Sequence, residues 1–371
     1  MLTRRPLRVM VVDDTVLYRK IVSDALTNLP GVEVVGSAHN GKAAISKLKS
    51  LQPDLLTLDI EMPEVSGIQV LEHIQKNALN TGAIMLSTLT QEGGTMTMRA
   101  LELGAFDFIP KPQSGTLAEN RTKIETALAP MVLEYQKRCL RIRKRGSTPC
   151  SFEKSTPSIL QKTSVAHFQP MKKVSIKSKA EIVAIGISTG GPNALAKMLP
   201  AIPGDIGVPI VIVQHMPPMF TQSLAKSLAS KCAIEVREAR NGEPLLPNTA
   251  FIAPGGKQMK IVAAADGKNR IVKISDDPPE NSCKPSVDYL FRSVAQHYVG
   301  RATGVIMTGM GSDGNRGLEV MQQNGATIIA QDEATCVVYG MPKAPVEKGL
   351  TDMVLPLNKI AENIVATVKC I

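Results

Sequence analysis

The chain has 371 residues, of which 43% are apolar and 20% charged, a balance that excludes a disordered polymer and leaves room for two soluble domains and a connection. No apolar run approaches the roughly 18 residues of a membrane helix, residues 1–12 lack a signal-peptide core, and the six cysteines (Cys139, Cys150, Cys232, Cys283, Cys336, Cys370) form no C-x-x-C pair. A cytoplasmic, non-inserted protein with reduced thiols is expected. The net charge of +10 arises in residues 113–180, where 14 Lys or Arg stand against 4 Asp or Glu, so it reads as a solvated linker and helix extension rather than a nucleic-acid surface.

In chain order, short apolar strands are expected at 9–12, 33–36, 55–58, 83–87 and 106–109, separated by amphipathic stretches. That alternation implies parallel strands with crossover helices. A Ser, Thr, Lys and Pro-rich stretch follows, flexible from Gly146 onward. A second α/β series begins at Glu181, with strands expected at 182–187, 209–214, 249–253, 303–307 and 326–330. The division is 6–125, a basic linker 126–179, and 180–371.

Ligands of open parallel sheets gather at the carboxyl ends of strands. In the first unit those positions hold Asp13, Asp14, Asp59, Ser87 and Lys111. Carboxylates brought together from two strands repel one another, so the cluster makes sense chiefly as a site for a hard cation, magnesium in kind. Beside such a cation Asp59 can be a nucleophile toward a phosphoryl group, Lys111 can neutralise developing charge, and Ser87 can hydrogen-bond a phosphoryl oxygen and so act as a switch. A lone Asp-Asp pair would more often be loop solvation or a helix cap.

The combination VVDD at 11–14, LLTLDIEMPEVSG at 55–67 and FIPKP at 108–112 resembles the receiver domain of two-component response regulators over nearly all of residues 6–116. The resemblance implies phosphorylation at Asp59, magnesium held by Asp14, Asp59 and the Glu61 carbonyl with Asp13 nearby, and a cis peptide at Lys111-Pro112.

In the second unit Ser188 lies within a G-x-S-x-G stretch after a strand and before a helix, the context that exposes a nucleophilic serine. Of five histidines only His215 follows a buried strand and precedes a loop, where a base is needed. Asp313, in the loop after the strand at 303–307, completes a nucleophile, base and orienting acid. Gly309-Met310-Gly311-Ser312-Asp313-Gly314 also spells a dinucleotide-binding fingerprint, with Asp332 about 20 residues on, which makes a receiver-regulated dinucleotide-binding protein the alternative. A third reading, a transcriptional regulator with a helix-turn-helix module, conflicts with the βα alternation of some 190 residues.

AIGISTGGP, VQHMPP, FIAPG, CKPSVDYLF, TGMGSDG and YGMP make residues 180–371 similar to the catalytic domain of chemotaxis protein-glutamate methylesterases. The resemblance implies two doubly wound parallel α/β domains, a flavodoxin-like receiver and a Rossmann-like hydrolase. It also implies a Ser188-His215-Asp313 triad supported by Thr189 and the Met310 amide as oxyanion donor. The activity implied is phosphorylation-regulated hydrolysis of glutamate methyl esters on methyl-accepting chemotaxis receptors, with deamidation of glutamines. A chemotaxis histidine kinase would be the phosphodonor, magnesium in the receiver the only cofactor, and the chain a monomer. Gln258 stands where the family commonly has histidine, leaving any auxiliary role there open.

Overall fold

A computed structural model describes residues 5–144 and 178–369; Cys150, Cys370 and the expected linker beyond residue 144 lie outside them. The first unit alternates strand and helix: β1 (Leu7–Val12), α1 (Val16–Thr27), β2 (Val32–Ala38), α2 (Gly41–Leu51), β3 (Leu55–Asp59), α3 (Gly67–Lys76), β4 (Gly82–Ser87), α4 (Gln91–Glu102), β5 (Asp107–Pro110) and α5 (Leu117–Lys144). All five strands are parallel, in the order β2-β1-β3-β4-β5. Val12 pairs with Leu58, so Asp13 and Asp59 leave neighbouring strands side by side.

The second unit comprises β6 (Ile182–Ile187), α6 (Gly191–Met198), β7 (Ile210–Gln214), α7 (Phe220–Ala229), β8 (Glu235–Glu238), β9 (Thr249–Ile252), β10 (Gln258–Ala263) and β11 (Arg270–Ser275). It continues with α8 (Val287–His297), β12 (Ala302–Ile306), α9 (Asn315–Gln323), β13 (Thr327–Gln331), α10 (Lys343–Glu347), β14 (Met353–Leu355) and α11 (Leu357–Lys369). Seven strands form one parallel sheet, β14-β13-β12-β6-β7-β9-β8, while β10 and β11 make a separate antiparallel hairpin. Every residue of β6, β7, β12 and β13 is buried, as strands covered by helices on both faces must be. The unforeseen strands β8 and β14 are short, and β8, β10 and β11 mix charged with apolar residues, which hides them from a search for apolar runs.

Helix α5 runs through the expected domain boundary at 125, because Leu128, Val132, Tyr135 and Cys139 are buried in the receiver's second core together with Leu26 and Phe106. The Tyr135 hydroxyl also donates to the Asp54 carbonyl at 3.0 Å. The two units touch through α4 and α7, through β5, and through α5, where Arg141 pairs with Glu333 at 3.3 Å. Gly94 carries no side chain where a Cβ would sit 2.6 Å from Ser223 Oγ, Glu102 accepts from Ser227 Oγ at 2.7 Å and pairs with Lys231, and the Phe108 ring packs 4.5 Å from that of Phe220.

A receiver fragment ending at residue 125 loses these α5 side chains and leaves the α1 face uncovered. It should be less stable than one ending at residue 144, by about 2 kcal/mol or more, the scale of uncovering one such apolar side chain. Urea unfolding of the two fragments measures the difference, and equal midpoints would contradict the extended domain.

Candidate active site

Ser188 leaves β6 with its amide bonded to the Thr308 carbonyl at 3.0 Å, which ties the turn to the end of the β12 strand. Two glycines make the turn possible. Gly190 takes φ +76° to cap α6, and Gly191 sits where a Cβ would lie 1.9 Å from Gln214 Oε1. His215 follows β7, its amide bonded to the Ile187 carbonyl at 3.2 Å, and Asp313 lies in the loop between β12 and α9. The three residues thus stand at the carboxyl ends of adjacent strands β12, β6 and β7.

Asp313 is 3% exposed and accepts five hydrogen bonds. Oδ2 accepts from His215 Nε2 at 2.8 Å and the Val287 amide at 2.7 Å. Oδ1 accepts from Asn281 Nδ2 and Ser286 Oγ, both at 2.9 Å, and from the Asp288 amide at 3.2 Å. Val287 and Asp288 begin α8, so the carboxylate also meets the positive end of a helix. Burial alone would raise its pKa, but the His215 contact and these donors outweigh it and hold Asp313 down at about 2. Reciprocally, burial would lower His215, yet hydrogen bonds to Asp313 and Cys283 push it up to about 9.

The imidazole turns Nε2 to Asp313 and Nδ1 to Cys283 Sγ, 3.8 Å away. Among the described residues no hydrogen bond joins Ser188 Oγ to His215; both line one cavity of about 530 Å³ with Thr189, Asn281, Cys283 and Met310. Thr189 is buried, and its carbonyl accepts from Thr308 Oγ1 at 3.0 Å. The Met310 amide donates to no protein acceptor among the described residues. Receiver residues Asp107, Phe108, Pro110, Ala127, Pro130 and Met131 complete the wall. Burial pushes the Asp107 carboxyl up to about 6 despite hydrogen bonds from the Phe108 amide and the Thr189 side chain.

Two of the three glycines and the acid of the dinucleotide fingerprint are already engaged, while Gly311 faces open space. A Cβ on Gly309 would meet Met341 Sδ at 2.2 Å and Ser188 Cβ at 2.8 Å, one on Gly314 would meet Val287 Cγ1 at 2.8 Å, and Asp332 Oδ1 accepts from the amide and hydroxyl of Thr335.

In the receiver, oxygens of Asp13, Asp14 and Asp59 all lie within 4.8 Å of one another. Lys111 Nζ sits 2.8 Å from Asp13 Oδ2 and 2.6 Å from Asp59 Oδ2. Burial raises Asp59 to about 6 against the pull of Lys111, with Asp13 adding to the rise, which is the electrostatic condition that a divalent cation relieves. The oxygen donor set fits a hard cation. Glu61 stands beside it, its amide 3.4 Å from Asp59 Oδ1 and its carboxylate accepting from Thr88 Oγ1 at 3.0 Å. Ser87 Oγ accepts from Thr97 Oγ1 of α4 at 2.7 Å and donates to the Gly93 carbonyl at 3.3 Å. The cis peptide among the described residues is Lys284-Pro285, so the expected one at Lys111-Pro112 is corrected to trans.

Sequence reasoning passed over Asn281, Cys283, Ser286 and the amides of α8. The motif CKPSVDYLF contains a usable signal, a serine N-cap ahead of an amphipathic helix, and Ser286 does cap α8 by accepting from the Tyr289 amide. Gln258 is fully buried, donating to the carbonyls of Pro278 (3.0 Å) and Cys283 (3.4 Å) and accepting from the Ser286 amide (2.9 Å), so it braces the loop that supplies these groups.

Two family descriptions match the chain: CheB methylesterase over residues 183–364 and response regulator receiver domain over residues 9–121. A protein-glutamate methylesterase/protein-glutamine glutaminase of Desulfotalea psychrophila is 59% identical over 364 residues, covering 98% of this chain and 99% of that protein. One of Trichodesmium erythraeum is 41% identical over 361 residues, covering 96% and 98%. The crystal structure of the Thermotoga maritima CheB methylesterase catalytic domain is 41% identical with a TM-score of 0.49, covering 50% of this chain and 98% of that one. With both domains in the same order and the match spanning nearly the full length, the chain belongs to the protein-glutamate methylesterase/protein-glutamine glutaminase family.

Proposed function

We propose that this chain hydrolyses glutamate methyl esters, and deamidates glutamines, on methyl-accepting chemotaxis receptors, with Ser188 as nucleophile, His215 as base and Asp313 as orienting acid. The observation that carries the reading is the His215-Asp313 pair, held by four further donors on the carboxylate, in one cavity with Ser188. Because Nε2 faces Asp313, Nδ1 is the atom that takes the serine proton, exchanging its contact with Cys283 for one with Ser188 Oγ. Ser188 Oγ then bonds to the ester carbonyl carbon while the Met310 amide and Thr189 support the oxyanion. The proton leaves with methanol, or with ammonia from a glutamine, and water hydrolyses the acyl-serine to restore both serine and glutamate.

Receiver control follows from who lines the cavity. Asp107, Phe108, Pro130 and Met131 line the cavity that holds Ser188 and His215, and a receptor segment filling it would displace the receiver. A histidine kinase would supply the phosphoryl group to Asp59, and Asp13, Asp14, Asp59 and the Glu61 carbonyl would hold magnesium, which supplies charge neutralisation when bound. A phosphoryl on Asp59 competes for Lys111 and for the Ser87 hydroxyl. Drawing Ser87 inward breaks its bonds to Gly93 and Thr97 of α4, the helix that packs on α7. Phe108 couples the same movement to Phe220.

Ser188→Ala should lower methanol release from methyl-esterified receptor by about 10⁴-fold or more with the fold intact; retention of the rate would remove Ser188 from its role. The base must be neutral to accept a proton, and His215 is raised to about 9, so below that value the active fraction falls as pH falls. Methanol release by the intact chain should therefore climb roughly tenfold per unit between about pH 6 and 8 and level off near 9, whereas a flat profile across this range would contradict the assignment. Asp59→Asn should keep the basal rate and lose stimulation by a small-molecule phosphodonor with magnesium. Stimulation of that variant equal to wild type would rule out the regulatory reading.

A further inference from the structure

The cluster of His215, Cys283 and Asp313 brings one nitrogen, one sulfur and one carboxylate oxygen within 4.8 Å of one another. We propose that His215 Nδ1 and Cys283 Sγ bind a soft divalent cation of the zinc type, with Asp313 orienting the imidazole, and that this cation inhibits the hydrolase. Inhibition rests on the proposed role of His215; binding does not.

The distances support it. Zinc takes nitrogen at about 2.0–2.1 Å and thiolate at about 2.3 Å with tetrahedral angles, which sets the two ligand atoms about 3.6 Å apart. Nδ1 and Sγ are 3.8 Å apart. The other ring nitrogen is bonded to a buried carboxylate at 2.8 Å, the arrangement that fixes tautomer and ring angle at histidine-metal sites. The remaining coordination positions open into the cavity, where water can fill them.

Cys283 is held in place by a tight two-residue turn. Glu280 and Cys283 exchange both backbone hydrogen bonds, at 3.1 and 2.7 Å, and Asn281 and Ser282 between them take φ +51° and +62°. Asn281 Nδ2 ties the turn to Asp288 and Asp313, and Gln258 holds the Cys283 carbonyl. Sulfur and imidazole select zinc, cobalt or cadmium over magnesium, so magnesium bound by the receiver's oxygen cluster does not occupy this site. Binding releases the thiol proton and the Nδ1 proton of the imidazolium to solvent, and takes the Nδ1 lone pair that Ser188 needs. Two protein ligands make a reversible site rather than a structural one.

The test is a Co²⁺ titration of the full chain, reading the thiolate-to-cobalt charge-transfer band, beside methanol release with and without Zn²⁺. The band is expected in the wild type, in Ser188→Ala and in Asp59→Asn, to be displaced by Zn²⁺, and to be lost in both Cys283→Ser and Cys283→Ala. Zn²⁺ should inhibit the wild type, EDTA should reverse it, and Cys283→Ser should need at least tenfold more Zn²⁺ for half-inhibition. Circular dichroism verifies that each variant is folded. A folded wild type without the band, or a band that persists unchanged in both Cys283 variants, overturns the site. A band that behaves as expected in a metal-free-inactive chain sustains the site and overturns the esterase reading instead.

Discussion

A carboxylate withdrawn from water is unstable unless donors replace the solvent, and Asp313 is where this chain meets that demand. Its five donors come from His215, the turn at Asn281, the cap at Ser286 and the first amides of α8. Each of those groups is held in turn by the need to reach one pair of oxygens. The entry of α8, the turn preceding it and the buried Gln258 behind both are consequences of keeping that anion satisfied. The same constraint sets the angle of the His215 ring, and so decides which nitrogen faces the cavity.

Sheet topology explains why three residues distant in sequence meet. β6 is the first strand of its sheet; the chain then forms β7, the edge strand β8 and, between them, β9 on one side, and later builds outward through β12, β13 and β14 on the other. Ser188 sits at that reversal, His215 arrives from the first wing and Asp313 from the second. The receiver repeats the principle on a smaller scale, β1 lying between β2 and β3, with Asp13 and Asp14 at the end of one central strand and Asp59 at the end of the other. Open parallel sheets collect ligands at such reversals because the loops there diverge and leave a crevice.

This is also why so much of both sites could be read from residues alone. Asp13, Asp14, Asp59, Lys111, Ser188 and His215 each follow directly on an apolar strand, and the strand is visible as a pattern. Asn281, Cys283 and Ser286 follow no strand of the main sheet; they arrive on a loop after a hairpin whose mixed composition carries little periodicity. Helix α5 was legible in principle, since Leu128, Val132, Tyr135 and Cys139 recur at spacings of four, three and four. The dense positive charge around 137–145 masked that stripe, because a basic run is the mark of a linker as well as of a solvated helix face.

The wall between the domains combines exposed ion pairs with a buried apolar contact. Its ion pairs, Lys231 with Glu102 and Arg141 with Glu333, are a third or more exposed on both sides, and such pairs contribute at most about 1 kcal/mol each. The aromatic pair of Phe108 and Phe220 adds roughly 0.5–1.5 kcal/mol beyond its area. Keeping Asp107 buried with its pKa raised to about 6 works against closure, a cost that grows as the pH rises from the ordinary carboxylate range and is complete above about 6. Coupling between two sites of a protein is typically worth about 1–3 kcal/mol, a range in which a single phosphoryl group can compete only with a closed state that is weakly favoured. The apolar contact extends beyond that pair: Met98 and Phe108 of the receiver share one buried cluster with Phe220 and Leu224, and Val338 joins the cluster that buries Val132 and Tyr135. Under the proposed regulation a phosphoryl group at Asp59 has to offset that burial through β5 and α4, the elements that reach both the acidic pocket and the hydrolase.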